Sequence, residues 1–338
     1  MARAVDMKPV EAHFRRPMRI LSGLQPTGRL HLGNYFGMMQ PALQLQHEGE
    51  AYYFIADYHS LTSLHDAKQL RANVQDLALD FLACGLDPNK AVFFRQSDVP
   101  EVTELAWILS TVTPIPMLEN CHSYKDKTSR GMTANTGLFT YPVLMAADIL
   151  IYDSELVPVG KDQKQHIEVA RDIASKMNST FGDGTLKIPT PRIREETAVV
   201  PGLDGQKMSK SYGNTISLFE EEGALKKKIM RIVTDATPVE EPKPTENSLI
   251  LQLYRLVTTD AEYNALEEDF RKGGTGYGDF KKRLLEKTWN FFGEAREKRA
   301  ALVNQKDYVE DVLQAGAAKA RAIAQQTMNR VRVAVGLR

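Results

Sequence analysis

Ile20-Leu-Ser-Gly-Leu-Gln-Pro-Thr-Gly-Arg-Leu-His-Leu-Gly-Asn-Tyr-Phe-Gly37 begins as a short apolar run and breaks at Gly23, Pro26 and Gly28. It resumes with helix-compatible residues after His31. A strand entering a glycine-punctuated turn that opens a helix places backbone N–H groups where a phosphate can meet them. Gly23 and Gly28 have the Gly-x4-Gly spacing of a P-loop, but Arg29 and Leu30 stand where that loop needs Lys and Ser/Thr. With neither the lysine for the outer phosphates nor the hydroxyl for magnesium, the P-loop reading fails. The alternative is His31-Leu-Gly-Asn34, an imidazole beside a glycine that lets the backbone approach a nucleotide closely.

Outward from this turn the apolar pattern alternates between strand and helix. Arg19–Ser22 reads as a strand and Leu32–His47 as a helix that Pro41 should kink. Ala51-Tyr-Tyr-Phe-Ile-Ala-Asp57 has the density of a buried strand and ends in the polar Asp57-Tyr-His-Ser60. A helix over Asp66–Cys84, a strand over Ala91–Phe94 and a helix over Val102–Thr111 follow. This rhythm predicts an α/β, Rossmann-like doubly wound parallel sheet, whose ligands sit at the carboxyl ends of the strands. Residues 112–139 show no clear period and include the basic loop Tyr124–Gly131. Thr140–Tyr152 is an apolar helix carrying one charge, Asp148. Leu156–Val159 is a strand and Gln163–Met177 a helix. From about residue 217 the pattern is mostly helical, broken at Pro238, Pro242 and Pro244 and again at Gly273–Gly278. Trp107 and Trp289 read as core positions on helix faces.

At 338 residues the chain is expected to form one large domain and a smaller one. The expected divisions are a flexible leader over 1–18, a catalytic α/β domain over 19–215 and an all-helical region over 216–338. The last helix of that region can pack back on the catalytic domain. Forty-three basic and 43 acidic residues cancel, so there is no global basic field, and any nucleic-acid contact has to come from local patches. Cys84 and Cys121 are too isolated for a disulfide framework or a cysteine zinc site. No apolar run approaches the roughly 20 residues of a membrane span, and the leader lacks a signal core. The expected location is the cytoplasm, with no membrane and no DNA partner.

The second strong motif is Lys207-Met-Ser-Lys-Ser211, two lysines bracketing a serine, with Gly202 and Gly205 before it and Gly213 after. It reads as a mobile cationic loop between the α/β and helical regions. His31-Leu-Gly-Asn34 followed by Lys207-Met-Ser-Lys-Ser211 resembles the class I aminoacyl-tRNA synthetases, from about residue 19 to the C-terminus. The resemblance implies adenylate formation: an amino-acid carboxylate attacks the α-phosphorus of ATP and pyrophosphate leaves. No protein nucleophile is needed, so catalysis is positioning and neutralisation of growing charge. His31, Asn34, Lys127, Lys207 and Lys210 are the implied catalytic residues, with Lys125 beside Lys127. Lys207 and Lys210 on a closing loop supply charge late, where it lowers the barrier. His31 needs only to donate a hydrogen bond to a phosphate oxygen. Magnesium is expected to arrive with ATP, without a dedicated protein ligand set.

Thr140-Tyr-Pro-Val-Leu-Met-Ala-Ala-Asp148, followed by Val157-Pro-Val-Gly-Lys-Asp-Gln-Lys-Gln-His166, resembles the tryptophan branch of that family more than the tyrosine branch. Tyr141, Met145 and Asp148 share one helix face. A lone carboxylate in so apolar a helix is costly unless paired. A partner inside the fold would meet that need. The resemblance instead makes Asp148 the acceptor for an indole N–H, which phenylalanine would leave unpaired. By the same resemblance Tyr141 and Gln163 hold the amino group of L-tryptophan, Met145 packs on the indole and His59 lines the pocket. Gln25, Pro26, Thr27, Gly33, Asn34, Gly160, Lys161, Asp162 and Val199 bind ATP, with Lys207, Met208, Ser209, Lys210 and Ser211. Leu21 stands where the family often has an aromatic. The helical region would hold the anticodon of tRNA(Trp), with Lys226–Lys228, Arg231 and the basic tail as candidate phosphate contacts. The family pattern is a homodimer. The rivals are a tyrosyl enzyme, a nucleotidyltransferase of the same superfamily, and a synthetase-like RNA-binding protein without catalysis.

Overall fold

The computed structural model describes residues 18–121, 135–159, 164–193 and 199–338. Strand β1 (Arg19–Leu24) pairs in parallel with β2 (Glu50–Ile55), in register from Arg19 opposite Glu50 to Leu24 opposite Ile55. Strand β3 (Ala91–Arg95) extends the sheet beyond β2, with Ile55 opposite Arg95. On the other side of β1 lies β4 (Leu156–Val159), and β5 (Thr190–Ile193) pairs with β4. The order is β3-β2-β1-β4-β5, all parallel. The winding reverses between β1 and β4, which opens a crevice at their carboxyl ends. The doubly wound sheet expected from the sequence is therefore present. β5 was not anticipated. It is four residues long and contains Pro191, a residue that an edge strand tolerates because it donates no ladder hydrogen bond.

Side chains of β2 alternate between two cores. Tyr53 and Ile55 join one cluster with Leu77, Phe81 and Leu82 of the Ala67–Ala83 helix, while Tyr52 and Phe54 join another with Val143, Ala147 and Ile173. Burial on both faces is why these strands read as continuous apolar runs. The helix after the first turn is irregular. Leu32–Asn34 passes into a π-helical turn, Tyr35–Met39, and then into Gln40–Gln44. Pro41 has no N–H for Gly37, and the Gln40 N–H bonds Tyr35 instead, so the expected kink takes the form of a π turn. The Asp148 helix runs Thr136–Ile151, capped by the Asn135 side chain on Leu138 N. It starts four residues before the periodicity suggests.

After residue 216 the described chain is helical, through Glu222–Met230, Leu249–Leu256, Asp260–Lys272, Tyr277–Phe291, Gly293–Val303 and Lys306–Ala334. The last of these lies across the edge strand β3. A Cβ on Gly316 would stand 1.9 Å from the Phe93 carbonyl oxygen, so only glycine allows the approach. Val309 and Leu313 of this helix join the first core, and Ala320, Ala324 and Met328 the second. No helix among the described residues is long and apolar enough to cross a membrane.

One sequence expectation needs correction. Trp107 is 73% exposed rather than core. Val102, Leu105 and Leu109 form the buried stripe of its helix, and position 107 falls on the opposite side. Among the candidate phosphate contacts several cations have partners within the fold. Arg321 pairs with Glu101, Arg330 with Asp153 and Arg332 with Glu104, while Lys228 pairs with Glu220. Lys226 and Lys227 remain exposed.

Candidate functional site

The turn after β1 is organised from within. Thr27 N donates to the Gln25 carbonyl at 2.9 Å, and the Pro26 carbonyl accepts from buried Asn73 Nδ2 at 3.1 Å. Gly28 has φ +92°, in the left-handed region that glycine enters without strain. His31 then caps the helix reciprocally: Asn34 N donates to His31 Nδ1 at 3.3 Å, and His31 N donates to Asn34 Oδ1 at 3.2 Å. Since Nδ1 accepts, the ring proton of the neutral imidazole sits on Nε2. Burial, and secondly the charge of Lys210, push the His31 pKa down to about 4. His31 is thus a neutral donor at physiological pH. A Cβ at Gly33 would stand 3.0 Å from its ring.

The lysine loop meets this turn. Lys210 Nζ donates to the Thr27 carbonyl at 2.9 Å, and partial desolvation of the ammonium against that turn pushes its pKa down although the residue as a whole is exposed. Leu32 N bonds the Ile216 carbonyl and Leu218 N the Leu30 carbonyl, which stitches the chain after the loop to the chain around His31. Met208 is buried and lies against Gly33, while Lys207, Lys210 and Ser211 are exposed. Ser209 Oγ and Ser211 Oγ are 2.8 Å apart. Buried Asn214 pins the loop from below: its Oδ1 accepts from Ser209 N at 2.8 Å, and its Nδ2 donates to the Lys207 carbonyl at 3.2 Å and to Asp204 at 2.8 Å.

At the β1–β4 crevice a cavity of about 390 Å³ opens, lined by Leu21, Gly23 and Gln25 from the first turn and by Val157 and Pro158 from β4. His59, Tyr141, Met145 and Asp148 are among the other lining residues. Leu21 is buried and supplies one wall. Asp148 is 1% exposed, and burial raises its pKa; donors from His59 and Gln96 work the other way. His59 Nε2 lies 2.8 Å from Oδ2, and Gln96 Nε2 lies 2.8 Å from Oδ1 and 2.9 Å from Oδ2. Asp148 therefore has the in-fold partners that an apolar helix demands, and it still faces the cavity. The Tyr141 hydroxyl is 2.7 Å from His166 Nε2.

The structure brings His31, Gly33, Asn34, Thr27 and Lys210 together in one place and His59, Tyr141, Met145 and Asp148 in another, with Gln25 between them. Val199, 66% exposed, does not line the cavity. Lys125, Lys127, Gly160, Lys161, Asp162 and Gln163 lie outside the described residues. Sequence reasoning missed Gln96, Asn214, Asn73 and the pairing of His166. Gln96 had a signal, because it opens the polar run Gln96-Ser-Asp98 directly after β3, as Asp57–Ser60 follows β2.

The family model described as tRNA synthetases class I (W and Y) matches residues 13–293. A tryptophan–tRNA ligase of Fusobacterium nucleatum is 54% identical over 319 residues, covering 94% of this chain and 98% of that protein. One of Rhodopirellula baltica is 52% identical over 321 residues, covering 95% and 100%. The chain belongs to the class I tRNA synthetases, in their tryptophan–tRNA ligase branch. Among solved structures, the tryptophanyl-tRNA synthetase of Campylobacter jejuni complexed with ADP and tryptophan is 49% identical, with a TM-score of 0.90, covering 94% of this chain and all of that one. For a class I synthetase, the meeting of the His31 turn with the Lys207–Ser211 loop is the junction of the family's two signatures.

Proposed function

We propose that this synthetase activates L-tryptophan with ATP to tryptophanyl-adenylate and pyrophosphate, then transfers the tryptophanyl group to the 3′ end of tRNA(Trp). The observation that carries the reading is Asp148: a buried carboxylate, held by two side-chain donors, on the wall of an apolar cavity beside Met145. Such an acceptor suits a flat apolar ring with one N–H. The relatives' names and the ADP and tryptophan bound in the Campylobacter jejuni structure support it.

In the first step a tryptophan carboxylate oxygen bonds to the α-phosphorus and the bond to pyrophosphate breaks. His31 Nε2–H donates to a phosphate oxygen. Lys207 and Lys210 meet the charge gathering on the leaving group, with Lys127, Gly160, Lys161, Asp162 and Val199 assigned to ATP by the family pattern. Tyr141 and Gln163 hold the amino group. In the second step a terminal ribose hydroxyl attacks the activated carbonyl and AMP leaves. Among the described residues no three His, Cys, Asp or Glu side chains converge to hold a metal. Magnesium would arrive with ATP. The helical region from 216 takes the anticodon, and the ligase works in the cytoplasm as a homodimer. Trp107 and Ile115, 73% and 61% exposed, offer apolar surface for a second copy.

ATP–pyrophosphate exchange with all twenty amino acids tests the activity. Tryptophan is expected to lead, with phenylalanine behind by about 10⁴-fold or more because it leaves the buried acceptor unpaired. Tyrosine exchanging as well as tryptophan would overturn the assignment.

A further inference from the structure

Gln96 does not line the cavity, yet among the described residues it makes two of the three hydrogen bonds that Asp148 receives from side chains. Its place follows from strand register. Ile55 stands opposite Arg95, so Gln96 leaves β3 beside the point where β2 turns into the Asp57–Ser60 helix. There Tyr58 N donates to Gln96 Oε1 at 3.1 Å. A backbone N–H can only donate, so the amide oxygen must face Tyr58 and the NH2 must face Asp148. The turn is itself braced. Asp57, buried at the end of β2, accepts from Ser97 N at 3.0 Å through Oδ1 and from the Ser97 hydroxyl through Oδ2.

A carboxylate offers about four lone-pair sites. Among the described residues Gln96 takes one on each oxygen and His59 one on Oδ2, which leaves a single site without a described donor, on Oδ1. We propose that Gln96 is a specificity-positioning residue: its amide fixes the plane of the Asp148 carboxylate, so that the one remaining lone pair on Oδ1 receives the indole N–H. This rests on Asp148 being the indole acceptor. Gln96 suits the task because its one neutral nitrogen spans both oxygens, whereas a lysine would consume the carboxylate's charge. Its amide has no freedom to rotate away while Tyr58 holds the oxygen.

The test compares kcat/KM in pyrophosphate exchange for tryptophan and for β-(benzothiophen-3-yl)alanine, which has sulfur in place of the N–H. The readout is the ratio of the two. Asp148→Ala is expected to collapse the ratio; an unchanged ratio there removes the acceptor reading and this proposal with it. If Asp148→Ala behaves as expected, Gln96→Met should lower the ratio by about tenfold, the scale of one hydrogen bond to a charged group, while KM for ATP stays put. Gln96→Glu keeps the size and the Tyr58 bond but sets a second carboxyl against Asp148 in place of the amide donor, so it reports even if Gln96→Met does not fold, and it should lower the ratio too. Equal losses on both substrates would mean a purely structural role and would overturn the proposal. No loss on either would do the same.

Discussion

The His31 imidazole takes its proton state from its neighbours. Asn34 N–H occupies Nδ1, which leaves Nε2 as the donor, and burial together with Lys210 holds the pKa at about 4, below the ordinary 6.5. Between those two values an unfolded chain binds a proton that the native one refuses. This group's contribution to stability is therefore constant above pH 6.5 and declines as pH falls toward about 4. Followed by NMR, the His31 ring signals should show no titration between pH 8 and 5.5. In Lys210→Ala the pKa should rise yet stay below 6.5, since burial is the larger cause. A wild-type His31 that titrates near 6.5 would contradict the neutral-donor role. The motif His31-Leu-Gly-Asn34 was legible because a capping turn is local. Its depressed pKa was not, because it depends on burial in the finished fold and, secondly, on a lysine far along the chain.

Elements were readable where one period governs them. The Ala67–Ala83 helix with Asp66 as its cap, the buried run of β2 and the apolar Thr136–Ile151 helix each declare themselves in a few residues. β5 did not, because four residues carry no period, and Trp107 was misplaced because its aromatic character was weighed above the stripe of its own helix. In the Lys207–Ser211 loop the motif is legible but its anchor is not: Asn214 acts through three hydrogen bonds that no pattern announces. Asn214→Ala should leave Ser209 N and the Lys207 carbonyl without that partner and let the loop wander. The rate of adenylate formation is expected to fall by about tenfold, one charge-assisted contact misplaced, with KM for tryptophan little changed. Trypsin should also cut faster after Lys207 or Lys210, as it does at loosened loops. Unaltered exchange and proteolysis together would show that the loop holds its shape without Asn214.

Across the whole molecule, the site draws on the β1 turn, the ends of β2 and β3, the Asp148 helix and the lysine loop, all before residue 216, and the helical half is seated on the same sheet. Long-range ion pairs do part of that seating. Arg299 Nε lies 2.6 Å from Asp80, and Arg299 Nη2 lies 2.8 Å from Asp76, joining the Gly293–Val303 helix to Ala67–Ala83. Asp80 is 3% exposed, and burial pushes its pKa up to about 6 even with the guanidinium beside it. Removing one member of a buried pair strands the other charge, at a cost of roughly 3–5 kcal/mol when burial is complete. Arg299 is 21% exposed, so Arg299→Met should cost somewhat less, about 2–4 kcal/mol in urea unfolding at pH 8. The sign with pH follows from the raised pKa. Between 3.8 and about 6 the native state holds a proton on Asp80 that the unfolded chain releases, so lowering the pH favours the native state through this group. The penalty in Arg299→Met should therefore shrink as the buffer moves from pH 8 to pH 5.5, and adding Asp80→Asn should recover most of it at pH 8. A penalty that is the same at both pH values, or that survives Asp80→Asn intact, would place the loss in the contact of the Arg299 guanidinium with the Phe219 ring rather than in the stranded carboxylate.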